Sequence, residues 1–142
     1  MTTLHLGVTE VPYAHGGKST GDVAEILEAK YHLFEAFWQL HQEQIVAEVT
    51  EAITGAFESV VRGAPPPADP HAAAMTKVQQ LFNVFLDQKE MDTLGYPGVP
   101  TAASLAGVNH RLKHPYRKSN KPRPSFVDTG LLENSMRAWV TE

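Results

Sequence analysis

The chain contains no cysteine, so disulfides, thiolate metal sites and zinc fingers are excluded, while nothing about its redox compartment follows. No stretch approaches the roughly 20 consecutive apolar residues of a membrane span. The N-terminus, MTTLHLGVTEVPYAHGGKST, also lacks a basic segment followed by an apolar one, so synthesis in the cytosol and no membrane contact are expected. Catalytic motifs are scarce too: there is no serine-centred nucleophile elbow and no cysteine nucleophile, and no set of residues meets the geometric roles of an active site. Neither an enzymatic activity nor a cofactor is expected. The segment Gly16-Gly17-Lys18-Ser19-Thr20 superficially matches a phosphate-binding loop, but the first glycine of G-x-x-x-x-G-K-[ST] falls on Pro12, and a hinge with a helix cap is the simpler reading.

What the sequence does have is charge sorted by position. Its 142 residues carry a net charge of −4, a length that fits one domain, 1–142, with one hydrophobic core. Residues 1–100 hold thirteen acids and five bases, and residues 101–142 hold three acids and seven bases, giving −8 and +4. Six of the twelve lysines and arginines lie within RLKHPYRKSNKPR, residues 111–123. Such asymmetry suits a nucleic-acid contact, and equally suits copies packed head to tail with one copy's basic segment against the next copy's acidic body.

Residues 1–18 alternate weakly through Leu4, Leu6, Val8 and Val11 before the Gly16-Gly17 breaker, which predicts a strand or an extended arm. From there the period changes. Ser19, Thr20 or Asp22 can cap a helix, and Val23, Ile26, Leu27, Leu33, Phe34, Phe37, Leu40, Ile45, Val49, Ile53, Phe57 and Val60 recur at helical spacing, as one buried face requires. The spacing predicts a helix over about 22–61, with breaks allowed near 42–44 or at Gly55. Phe34, Phe37 and Trp38 read as core aromatics on it, with Trp38 able to face a neighbouring subunit. Its glutamates, Glu25, Glu28, Glu35, Glu43, Glu48, Glu51 and Glu58, read as a solvated face. Prolines in GAPPPADP end the helix, and Met75, Val78, Leu81, Phe82, Phe85 and Leu86 mark a second one within 71–94. The segment 19–94 is thus a helical hairpin.

Beyond it, 95–142 reads as a short helix, a basic arm and a C-terminal interaction segment. Thr101 can cap a third helix over TAASLAGVNHRLKH. Three prolines within 115–124 predict an extended, polyproline-like arm. Asp128 or Thr129 can cap a short helix from Leu131, and 136–141 can form a strand. The fold class is therefore mainly α with some β. His110 and His114, four apart, could share a metal on a helix, but no third ligand is evident and Arg111 and Lys113 oppose a cation, so no metal site is expected.

The stretch RPSFVDTGLLENSMRAWV resembles a signature of small virion proteins of tailed bacteriophages: a proline and an aromatic, Asp-Thr-Gly, then Leu-x-x-Ser. Arg123, Pro124, Phe126, Asp128, Thr129, Gly130, Leu131 and Ser135 carry it. The preceding PGVPTAASLAGVNHRLKHPY is also similar to phage virion proteins, so the resemblance covers about the last third of the chain. It implies a neck or tail-completion protein, with contractile-tail baseplate components next in line, assembled in the host cytoplasm into the virion. The implied partners are copies of the same chain in a ring, together with other tail, neck or baseplate proteins. In that picture Arg111, Lys113, Tyr116, Arg117, Lys118, Lys121, Arg123 and Pro124 cross to the next subunit. Phe126 and Trp139 act as apolar anchors around the turn Asp128-Thr129-Gly130. A DNA-binding accessory protein using 111–123 is the alternative.

Overall fold

The computed structural model describes residues 2–14 and 16–142; Met1 and His15 of the expected N-terminal strand or arm lie outside the described residues. Among the described residues, five α-helices and two strands follow one another: β1 Thr3–Val8, α1 Thr20–Tyr31, α2 Leu33–Val61, α3 Ala72–Asp87, a 3-10 turn Met91–Thr93, α4 Ala102–Leu105, α5 Leu131–Ser135 and β2 Met136–Thr141. The protein is mainly α with a small sheet. Among the described residues, no helix is long and apolar enough to cross a membrane.

Helix α1 starts where the sequence places it. Ser19 accepts from the Asp22 amide and Asp22 returns the bond to the Ser19 amide, a reciprocal cap, and these bonds hold the Asp22 carboxyl below its usual pKa range. The expected continuous helix over 22–61 breaks at His32 instead of near 42–44 or Gly55. His32 sits at φ 55, ψ 45, closing α1 through its amide to the Glu28 carbonyl. The Glu28 carboxylate then accepts the Phe34 amide at 2.6 Å, satisfying one of the free donors at the start of α2. A bend without glycine or proline is thus held by a side chain one turn upstream.

The hairpin of α2 and α3 carries the core. Phe34 stacks on Phe82 at 5.3 Å, Phe37 meets Phe82 edge-on at 5.2 Å, and Phe85 lies 5.5 Å from Phe37. Phe37, Phe82 and Phe85 are fully buried with Leu33, Ile45, Val78 and Leu86; burying each such side chain contributes about 1.5–3 kcal/mol. At the far end Lys77 reaches the Glu48 carboxylate at 2.6 Å. The second helix is shorter than the 71–94 window, ending at Asp87 with Lys89 at φ 58 before the 3-10 turn.

The chain ends pair. Strands β1 and β2 are antiparallel, Thr3 opposite Thr141 and Val8 opposite Met136, and Met136 and Ala138 are buried where β2 lies on α3. Both outer edges of this ribbon are unpaired among the described residues.

Two expectations downstream of α3 are corrected. The third helix is only Ala102–Leu105, capped by Thr101, because Gly107 turns to φ 73 and the chain leaves helical geometry. His110 and His114 therefore share no helix face. Residues 115–124 do not run as an extended arm either. Turn bonds join the Asn109 amide to the Pro115 carbonyl and the Asn120 amide to the Arg117 carbonyl, and the Asn120 side chain donates to the His114 and Pro115 carbonyls. Prolines remove donors but do not prevent a chain from turning when an asparagine supplies the missing bonds.

Candidate interaction site

The basic loop is folded onto the body, and polar atoms place it there. A Cβ on Gly107 would lie 2.6 Å from the Asn120 carbonyl oxygen and 2.7 Å from that of Lys121, so the loop backbone rests against this glycine. The Arg123 amide donates to the Ser104 carbonyl. Ser104 and Ser125 hydroxyls meet at 3.1 Å, and the Ser125 hydroxyl accepts the Thr101 amide.

Asp128 is the hub. One carboxylate oxygen accepts the His110 amide at 2.7 Å, the other meets His110 Nδ1, and His110 Nε2 lies 2.9 Å from the Tyr116 hydroxyl. Arg123 stands 4.0 Å from the same carboxylate and donates to the Val108 and Pro124 carbonyls. Burial lowers the pKa of this guanidinium, with Asp128 opposing the shift. Arg123 is thus an internal brace, whereas Arg111, Lys113, Arg117, Lys118, Lys121 and Tyr116 are exposed. A carboxylate, an imidazole and a phenol in sequence can relay a proton, but here each partner belongs to the loop being closed. The constellation is a staple.

Beside it lies a cavity of about 550 Å³, walled by Val23 and Leu27 of α1, by Phe126 and Leu132, and by the Asp128-Thr129-Gly130 turn, with Lys18, His110 and Arg123 at its polar side. Phe126, at φ 68, leans on Tyr31 at 5.1 Å. Gly130 takes φ 82, and the Thr129 hydroxyl accepts the Leu131 amide. Neither expected cap is made: Gly130 is the N-cap of α5 without a side-chain cap bond, Thr129 makes only this local turn bond, and Asp128 is occupied with the loop. Burial, then the charge of Asp128, raises the Tyr13 pKa nearby. Pro124 is half-buried, and its carbonyl accepts the Val127 amide. Trp139 lies elsewhere, on β2, 45% exposed and stacked on His5 at 5.3 Å above Gly7.

The structure thus gathers Phe126, Asp128, Thr129 and Gly130 with Arg123 and Tyr116, leaves the remaining cations on the loop surface, and separates Trp139 from them. Tyr13 lines the cavity without having been singled out in the sequence, while Lys18 and Leu27 figure there only in a rejected phosphate-loop match and in the helical periodicity of α1. A second unforeseen cluster, Glu28, His32 and Glu35, brings three ligand atoms within 4.8 Å. Its groups serve the helix break: Glu28 caps Phe34 and Glu35 pairs with His32 at 3.1 Å. Compared with known proteins, the chain matches no family model, no curated protein and no solved structure.

Proposed function

We propose that the protein is a non-enzymatic structural component of a tailed-phage virion, joining a multimeric ring at the neck, where tails are completed, or at the baseplate. The observation that carries this reading is the unit from Arg123 to Trp139. The residues of the virion-protein signature fold together: Asp128 fastens the basic loop, Gly130 turns the chain, and Ser135 is buried with its hydroxyl on the Leu132 carbonyl and its carbonyl on the Thr9 amide. Strand β2 follows at once. This turn, helix and strand joins a basic loop, fastened through Asp128, to a strand edge unpaired among the described residues and a half-exposed tryptophan. Ring components need two such complementary faces.

Charge supports the same picture. Five exposed cations project from the loop, opposite in sign to the hairpin's carboxylates, which favours loop-to-body contacts between copies. The same five cations support one rival reading, a duplex-DNA contact. Light scattering of the purified protein across concentration and salt, with and without double-stranded DNA, separates the two. A closed oligomer indifferent to DNA, located at the neck or tail tip by electron microscopy of labelled particles, upholds the ring reading. Affinity for any duplex that falls steeply with salt, with a slope near −0.9 per phosphate contacted, replaces it with the DNA reading.

A further inference from the structure

Along α2, Ile53, Phe57 and Val60 are 45%, 69% and 40% exposed instead of buried as their spacing predicts, and nothing in the structure shows what covers them. The cavity of about 550 Å³ beside Asp128 is different, because its lining specifies the chemistry of an occupant. Its volume falls within the range of small-molecule pockets, roughly 300–1,000 Å³. One side is apolar, with Val23 and Leu27 from α1 and Phe126 and Leu132 from the turn and α5. The other side carries donors without acceptors. Arg123 is the clearest case. Its side chain is only 9% exposed, Nε and Nη1 donate to the Val108 and Pro124 carbonyls, and among the described residues Nη2 has no hydrogen-bond partner. The Tyr13 hydroxyl and Lys18 Nζ line the same cavity and have no partner among the described residues either.

The carboxylate on that side is already engaged. One Asp128 oxygen accepts the His110 amide and the other meets His110 Nδ1, while His110 Nε2 faces the Tyr116 hydroxyl. With histidine neutral, Lys18 and Arg123 outnumber Asp128 by one positive charge on the lining. Burial lowers the pKa of the Arg123 guanidinium despite Asp128, so a second anion beside it would offset part of that desolvation. A cation would meet a lining of its own sign, and an uncharged apolar molecule would leave the guanidinium without its acceptor. We infer that the cavity binds a free monocarboxylate with an apolar body. Its carboxylate lies on Arg123, Lys18 and Tyr13, and its hydrocarbon between Val23, Leu27, Phe126 and Leu132. One folded copy suffices, so the site stands whether or not a ring forms.

The test is calorimetric titration of octanoate into the full chain at low salt and near neutral pH. One saturable site per chain is expected. Octanamide, the same shape without the charge, should bind roughly ten-fold or more weakly. Acetate, which lacks the hydrocarbon, and octylammonium, of opposite charge, should give no detectable heat of binding. Amide shifts in nuclear magnetic resonance spectra should cluster at Val23, Leu27 and 126–130 and leave Phe57 and Trp139 unmoved. Lys18 is exposed, so Lys18→Gln should weaken octanoate roughly three- to five-fold without changing the melting temperature of the free protein. Arg123→Gln should abolish the preference for octanoate over octanamide; if circular dichroism shows that this variant does not fold, Lys18→Gln combined with Tyr13→Phe decides in its place, with a larger loss than Lys18→Gln alone. No saturable binding at millimolar octanoate, equal affinity for octanamide, shifts confined to the α2 stripe, or full affinity in the Lys18→Gln, Tyr13→Phe double variant overturns the inference.

Discussion

Between Leu33 and Asp87 the chain is held by aromatic rings packed on one another, whereas between residues 106 and 130 Val127 alone among the large apolar side chains is fully buried, and carbonyls, an aspartate and an asparagine hold the backbone. Apolar burial is non-directional and grows with area; hydrogen bonds act one by one and contribute about 1 kcal/mol net each. One region should therefore fail as a whole and the other should open locally. The sharpest way to break the comparison is Phe82→Ala, which removes a ring touching Phe34, Phe37 and Phe85 together. Global stability should fall by about 3–5 kcal/mol, read as a lower urea midpoint common to far-ultraviolet dichroism and tryptophan fluorescence.

Gly107→Ala attacks the other region. A methyl group would meet two backbone carbonyls below 3 Å at a residue with φ +73, so the loop must move off α4 at a cost of about 2–3 kcal/mol. Trypsin cleavage after Arg117 and Lys118 should accelerate while the urea midpoint of the hairpin barely shifts. Asp128→Ala should do the same more mildly, by about 1–3 kcal/mol of local stability, since it strands the His110 amide and the Arg123 guanidinium. Equal global unfolding by all three variants would erase the distinction between the regions.

That distinction also explains what was legible in the sequence. Helical spacing through Phe34, Phe37, Phe82 and Phe85 marks the hairpin, and alternation marks both strands, because those signals are the packing itself. The break at His32 was not legible: it depends on a carboxylate four residues upstream in a histidine-ended helix, where glycine and proline are the usual markers. Nor was the folded loop, since proline content predicts extension while the bonds from Asn120 and Asp128 span six and eighteen residues. For the candidate site, the Asp-Thr-Gly turn and its neighbours were visible as a group, but the inward Arg123 was counted with the exposed cations. Ile53, Phe57 and Val60 carry apolar identity without saying which surface they serve.

Glu133 lies where the two regions meet, on α5 against α3, and offers the gentlest test. Burial, reinforced by the Asp87 carboxylate, pushes its pKa up to about 7 from 4.5. The folded state therefore holds this proton more tightly than the unfolded chain does. Stability from the protonated acid is fully present below about pH 4.5, declines as pH rises toward 7, and is gone above it. Solvent screening beside the exposed Asp87 reduces the effect to about 1–2 kcal/mol. Glu133→Gln keeps the shape and removes the charge, so its melting temperature should exceed that of the unmodified protein at pH 8 and match it near pH 4.5. If the difference appears in the melting of the hairpin, α5 belongs with the aromatic core and the boundary between the two regions falls at Leu131; if it appears only in protease resistance of 106–130, α5 belongs with the loop that Asp128 closes and the boundary falls after Ser135.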